Sequence, residues 1–174
     1  RDLHLSIRRQ RQMCIRDSYF RALSLTQLVS IDLLIVCHEK LLVGERSNNP
    51  AQGSLFVPGG KVYKNEYLTE GLERISKQEI GFPLNTNQVQ LKGIYDHIYE
   101  NNFRDDTCGT HYVTIACQIE LPLEPQQEIR IIENAMLAQH QHIEWLQINT
   151  ILDHPEVHDN VKSYFENAPT NIFL

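Results

Sequence analysis

The chain has 174 residues, 41% hydrophobic and 22% charged, which is the composition of one ordinary globular domain. Its 16 Lys and Arg stand against 22 Asp and Glu, and setting aside the five basic and two acidic residues of 1–18 leaves 11 against 20, a charge of −9. Such a surface argues against nucleic acid or an anionic membrane as partner, since both take a net basic footprint, and no apolar run reaches the roughly 18 residues of a membrane span.

Residues 1–18 (RDLHLSIRRQRQMCIRDS) are basic and unlike the rest of the chain. Their composition fits a transit peptide, but Met13-Cys14-Ile15-Arg16-Asp17 is also what a transposon end used in sequencing libraries encodes. The segment is read as a non-native or disordered extension, and 19–174 as a single domain. It lacks the sustained apolar core of a signal peptide.

Tyr19–Gln27 is compatible with a short helix. Leu28–Cys37 is apolar and β-branched and predicts a strand. His38-Glu39 is a tight connection to a second strand, Lys40–Arg46, which forms a hairpin with the first. Ser47–Gly53 is turn chemistry, and Leu55-Phe56-Val57 is a short buried strand ended by Pro58-Gly59-Gly60. Asn65–Ile80 predicts a helix with Asn65 as cap and Leu68, Leu72, Ile75 and Ile80 on its apolar face, stopped by Gly81 and Pro83. Val89–Tyr99 and His111–Glu120 predict long strands around a polar loop. Leu121–Ala138 reads as a long connection containing two prolines. Ile143–Leu146 is a short strand, and Asn149–Asp153 and Asn160–Asn167 predict helices. This order specifies an α+β domain, an α/β/α sandwich with a mixed central sheet. Cys14, Cys37, Cys108 and Cys117 form no C-x-x-C pair and read as small hydrophobes in a reducing cytoplasm, against a zinc site.

Chemistry concentrates in Gly60-x5-Glu66-x7-Arg74-x4-Glu79-x-Gly81-Phe82. A Gly-Gly turn lets backbone approach a ligand, and the helix after it presents side chains at spacings of three and four on one face. The stretch resembles the Nudix box, G-x5-E-x7-R-E-U-x-E-E-x-G-U, where U is aliphatic. Ile75 and Gln78 stand where the box has two of its glutamates, and Ser76 takes an aliphatic position. That leaves Glu79 as the one carboxylate of the stripe. One Glu and a backbone carbonyl can hold one Mg²⁺, but a two-metal mechanism is hard to build from them.

Further segments resemble the GDP-mannose mannosyl hydrolase family within the Nudix superfamily. They are Gly44–Gly53, Phe56–Gly60, Tyr95–Tyr99 with Asn102-Phe103, Thr110–Val113, Gln139-His140 before Glu144-Trp145-Leu146, and Val157–Asn160 with Tyr164-Phe165. The resemblance covers roughly 25–166. It implies a Nudix fold and cleavage at carbon: water displaces GDP from C1 of the hexose, with inversion. It further implies that Gly59 (by its carbonyl), Glu79 and Gln139 ligate one Mg²⁺, with Mn²⁺ as an alternative ion. His140 would be the general base, with His142 as a fallback. Arg46 and Arg74 would neutralise the diphosphate, Tyr112 would donate to the leaving group, and Asp32, Lys61 and His97 would contact substrate. A homodimer is implied by the resemblance alone.

These residue types suit that reaction. GDP leaves as a stable anion once cations absorb its charge, whereas the attacking water needs a base, and imidazole is poised for that near neutrality. Each residue also has a plainer reading. His140 could be a solvated loop histidine, Arg74 a surface ion-pair member with Glu70 or Glu73, Tyr112 a core residue, and Trp145 core. Asp32 lies in an apolar strand, where a lone carboxylate is costly unless satisfied. Lys61, where relatives carry Arg, keeps charge without bidentate geometry. Two alternatives remain: a nucleotide-sugar pyrophosphohydrolase attacking phosphorus, and a catalytically silent nucleotide-binding module.

Overall fold

The computed structural model describes residues 20–102, 108–121, 126–137 (backbone alone over 126–129) and 140–166. The expectations for residues 1–18, Phe103 and Gln139 therefore lie outside the described residues. Strand β1 (Leu28–Cys37) is buried along nearly all its length, as a continuous apolar run covered on both faces should be. His38 and Glu39 both take positive φ, 51° and 59°, the conformation of a two-residue hairpin turn, and lead into β2 (Lys40–Glu45). Strands β3 (Leu55–Phe56) and β4 (Gly59–Lys61) pair antiparallel with β2 and β1 respectively.

Helix α1 (Leu68–Ile80) begins three residues later than the sequence suggests. Asn65 sits in the left-handed region at φ 65° and so turns the chain rather than capping the helix. Tyr67 takes the cap position, its N–H donating to the Glu70 carboxylate at 2.9 Å. Leu68 is half exposed, while Leu72, Ile75 and Ile80 are buried as the periodicity requires. Gly81, at φ 88°, ends the helix.

Strand β5 (Gln90–Tyr99) pairs antiparallel with β6 (Thr110–Glu120), which runs parallel to β1. The segment after Leu121 contains a helix, α2 (Gln126–Leu137), where a plain connection was expected. Its Ile132 and Met136 are fully buried, one turn apart. Strand β7 (Ile143–Gln147) joins the far side of β2, completing a seven-stranded mixed sheet. Only a 3₁₀ turn (Ile148–Thr150) stands where a helix at 149–153 was expected. The last helix, α3 (Asp159–Lys162), is short, capped by the His158 ring, whose Nδ1 accepts from Asn160 N–H.

The sheet separates two apolar cores. Ile31, Leu33 and Ile35 of β1 face α1 and α2, while Leu34 and Val36 face Val157, Val161 and Tyr164 of the C-terminal segment. This is the expected three-layer α+β arrangement. By alternation Asp32 joins the second face, and there it finds its partners. Cys37 and Cys117 are buried free thiols, and Trp145 is partly buried, its indole N–H donating to Glu133 at 3.0 Å. Among the described residues no helix is long and apolar enough to cross a membrane.

Candidate active site

Two adjoining cavities open along the strand β4 side of the sheet and share Arg46, Val57 and Gly59 as walls. The larger, about 240 Å³, is lined by Asp32, Phe56, Lys61, His97, Tyr99 and Tyr112 together with the shared residues. The smaller, about 180 Å³, brings Glu79 of α1 to the same space as His140. The two are 61 residues apart in sequence, by their numbers, and the sheet joins them.

His140 is set by three contacts. Its N–H donates to the Met136 carbonyl at 2.8 Å, tying it to the buried end of α2. Its ring lies over Gly44, where a β-carbon would come within 2.6 Å of Cγ. Its Nδ1 lies 3.3 Å from the Glu45 carbonyl. A carbonyl only accepts, so Nδ1 carries the proton and Nε2 is left with its lone pair. That Nε2 is buried and has no hydrogen-bond partner among the described residues. Burial, followed by the Arg46 charge, pulls the imidazole pKa below its ordinary value, against the carbonyl contact that raises it. His142, by contrast, is mostly exposed, 4.0 Å from Glu144.

The Nudix-like helix shows where its departures lead. Ile75 is 1% exposed and lies where a β-carbon on Gly60 would stand 3.3 Å from it, so the second glutamate position has become core. Gln78 accepts from Arg74 at 3.1 Å. Arg74 is placed differently from the expectation that it meets the diphosphate. Its guanidinium makes a fork with Glu66 at 2.6 and 2.8 Å, donates to the Lys61 carbonyl at 2.9 Å and lies 3.9 Å over the Tyr63 ring. It lines neither cavity among the described residues. Glu66 also accepts from Tyr63 N–H at 2.8 Å, and its pairing with Arg74 holds its pKa down at about 2. The pair braces the turn between β4 and α1, and neither Glu70 nor Glu73 serves as its partner in the fork.

Arg46 does reach the site. Its Nε donates to the Pro50 carbonyl at 2.8 Å, its guanidinium lies 5.3 Å from the Phe56 ring centre, and it walls both cavities. Lys61 lines the larger cavity with its pKa lowered by burial first and then by Arg74. Tyr112 lines it too, in an edge contact with Tyr99 at 6.4 Å. Asp32 is 6% exposed and accepts from the Tyr164 hydroxyl at 2.7 Å; the same hydroxyl lies 3.1 Å from Nε2 of His97. Burial pushes Asp32 up to about 6 and His97 down to about 4. A side chain on Gly59 would collide with Oδ1 of Asp32, which is why this wall is glycine.

The sequence places Gly44, Tyr99 and Tyr164 in segments that carry the family resemblance, but gives them no role. A lone glycine inside a strand pattern signals close approach and could have marked Gly44. Tyr99 shares a face with His97 by alternation. Tyr164 carries no local signal beyond its place in the Tyr164-Phe165 segment.

The residues suit a hydrated Mg²⁺. Among the described residues no cluster of three His, Cys, Asp or Glu forms a closed cage. Glu79 and Gly59 line one cavity, and one carboxylate with a backbone carbonyl would be a sparse oxygen set, of the kind Mg²⁺ accepts while keeping waters and taking substrate phosphates as further ligands.

Comparison with known proteins matches this geometry to a family. A family model described as NUDIX domain covers residues 27–166. The chain is 39% identical over 94 residues to "Low-salt glycan biosynthesis protein Agl8" of Haloferax volcanii; the match takes in 54% of this chain and 59% of that protein's length. Its fold is similar to the crystal structure of the MutT protein from Methanosarcina mazei Go1, with a TM-score of 0.59 at 19% identity over 80% of this chain and 90% of that one. It is similar also to the MutT NUDIX hydrolase of Burkholderia pseudomallei, with a TM-score of 0.57 at 23% identity over 82% and 99%. The chain belongs to the Nudix family.

Proposed function

We propose that the protein hydrolyses GDP-mannose, or the related GDP-glucose, to GDP and free hexose by attack of water on the anomeric carbon with inversion. The observation that carries this reading is that the one carboxylate of the helix stripe, Glu79, and His140, whose buried Nε2 has no partner among the described residues, line one cavity that adjoins the cavity of Asp32 and His97. Attack at phosphorus in this family draws on several helix carboxylates, and here Ile75 is core and Gln78 is an amide. The name of the Haloferax relative, a glycan biosynthesis protein, is compatible with a sugar-bearing substrate.

Each residue then has a task. His140 Nε2 would take the proton from water as the oxygen closes on C1, the Nδ1–H contact with the Glu45 carbonyl leaving the lone pair on that nitrogen. Arg46 and Lys61 meet the diphosphate charge that grows as the sugar–oxygen bond breaks, and Tyr112 donates to the departing oxygen. Asp32 and His97 hold the hexose. Glu79 and the Gly59 carbonyl, with Gln139, would hold Mg²⁺, which when bound neutralises the leaving diphosphate. The free thiols of Cys37, Cys108 and Cys117 support a cytoplasmic setting. A homodimer belongs to the same reading and is checked by sedimentation.

Turnover of GDP-mannose in ¹⁸O water, followed by proton and phosphorus NMR, tests the proposal. Label in the hexose, with the β anomer first, supports it. Label in phosphate, with GMP and hexose 1-phosphate as products, overturns it in favour of a pyrophosphohydrolase. Binding of GDP-mannose without turnover points to a silent module.

A further inference from the structure

Three side chains from distant parts of the chain meet behind the wall of the larger cavity: Asp32 of β1 and His97 of β5, which line it, and Tyr164 beyond α3. All are nearly inaccessible to solvent. Tyr164 Oη is 2.7 Å from Asp32 Oδ2 and 3.1 Å from His97 Nε2. A phenol has one proton, and a carboxylate accepts only. The proton therefore goes to Asp32, and the phenolic oxygen accepts from His97 Nε2–H. This assigns the tautomer of His97 and leaves its Nδ1 with a lone pair. Oδ1 of Asp32 and Nδ1 of His97 make no hydrogen bond among the described residues, and both side chains line the cavity. Two acceptors at a cavity wall match the hydroxyl donors of a neutral sugar and oppose a phosphate.

We infer that Tyr164 is a positioning residue for the sugar subsite, its single hydroxyl fixing the orientation of Asp32 and the tautomer of His97 so that both present acceptors to hexose hydroxyls. The ligand in this statement rests on the function proposed above, whereas the hydrogen-bond order rests on geometry alone. Tyr164 does not itself line the cavity among the described residues; its ring packs in the core, 4.7 Å from Tyr95. Tyr164→Phe therefore removes the hydroxyl and keeps the packing.

Nitrogen-15 spectra of the histidine-labelled full chain read the tautomer directly. The unaltered protein is expected to show His97 as Nε2–H; an Nδ1–H form overturns the inference whether or not any variant folds. In Tyr164→Phe, His97 should lose its single tautomer. KM for GDP-mannose should rise about tenfold, the scale of a lost hydrogen bond to a charged group, while kcat changes less than about threefold. An unchanged tautomer together with an unchanged KM overturns it. Should the unaltered protein release no GDP from GDP-mannose, the functional reading fails, and the tautomer spectra of the two proteins still decide the place of Tyr164.

Discussion

Gly44 lies directly beneath the ring of His140: a β-carbon there would stand 2.6 Å from Cγ and 2.8 Å from Nδ1. The glycine leaves the space the imidazole fills, beside the carbonyl of Glu45 that receives its proton. Gly44→Ala should displace the ring while leaving the β2 pairing with β7 intact, because that pairing is made by backbone. A fall in kcat of about tenfold or more, with near-ultraviolet dichroism unchanged, is the expected result. An alanine variant with undiminished kcat would show that the ring is not held over β2.

His140→Gln separates catalysis from binding. Loss of a general base lowers kcat by about 10²–10⁴. Affinity for GDP, measured by calorimetry, should stay within about threefold, since the proposed function gives the diphosphate to Arg46 and Lys61, which line the larger cavity. Retention of kcat would move the base elsewhere.

Arg74 and Arg46 should behave in opposite ways. Arg74→Lys breaks the two-pronged contact with Glu66 and is expected to cost about 1–3 kcal/mol of stability with little change in KM. Arg46→Lys should raise KM with little loss of stability. Glu66, held at about 2 against an ordinary 4.5, contributes stability that is complete above pH 4.5 and lost as pH falls toward 2. Denaturant titrations of the parent and of Glu66→Gln should therefore differ at pH 7 and converge near pH 2.

Asp32 titrates in the other direction. Burial raises it from 3.8 to about 6, so the native state binds its proton more tightly than the unfolded chain does. Stability then declines as pH rises from about 4 to 6, and the cost is complete above 6. His97, lowered to about 4, opposes this over part of the same range, but it is common to both proteins compared. Asp32→Asn should raise the melting temperature at pH 8, lose that advantage near pH 4, and lower kcat/KM for the nucleotide sugar. A variant less stable than the parent at pH 8 would contradict the burial argument.

Local chemistry alone determined much of this protein. An unbroken apolar run makes β1 and a 3.6-residue apolar rhythm makes α1, because each depends on neighbours a few residues away, whereas the Gly59-Gly60 pair expected as a turn forms strand β4 by pairing with β1. The spacing from Gly60 to Gly81 carried the Nudix signal for the same reason. Helix α2 escaped the reading because flanking prolines and amides look like loop, and what holds it is packing of Ile132 and Met136 into the core shared with α1. Tertiary structure alone decided which ions pair: Arg74 took Glu66, eight residues back, across the turn from β4, which drew it off the cavity. It likewise decided that Asp32 meets a hydroxyl 132 residues away. A buried carboxylate needs a donor, but only the closing of the C-terminal segment over the sheet determines which donor arrives.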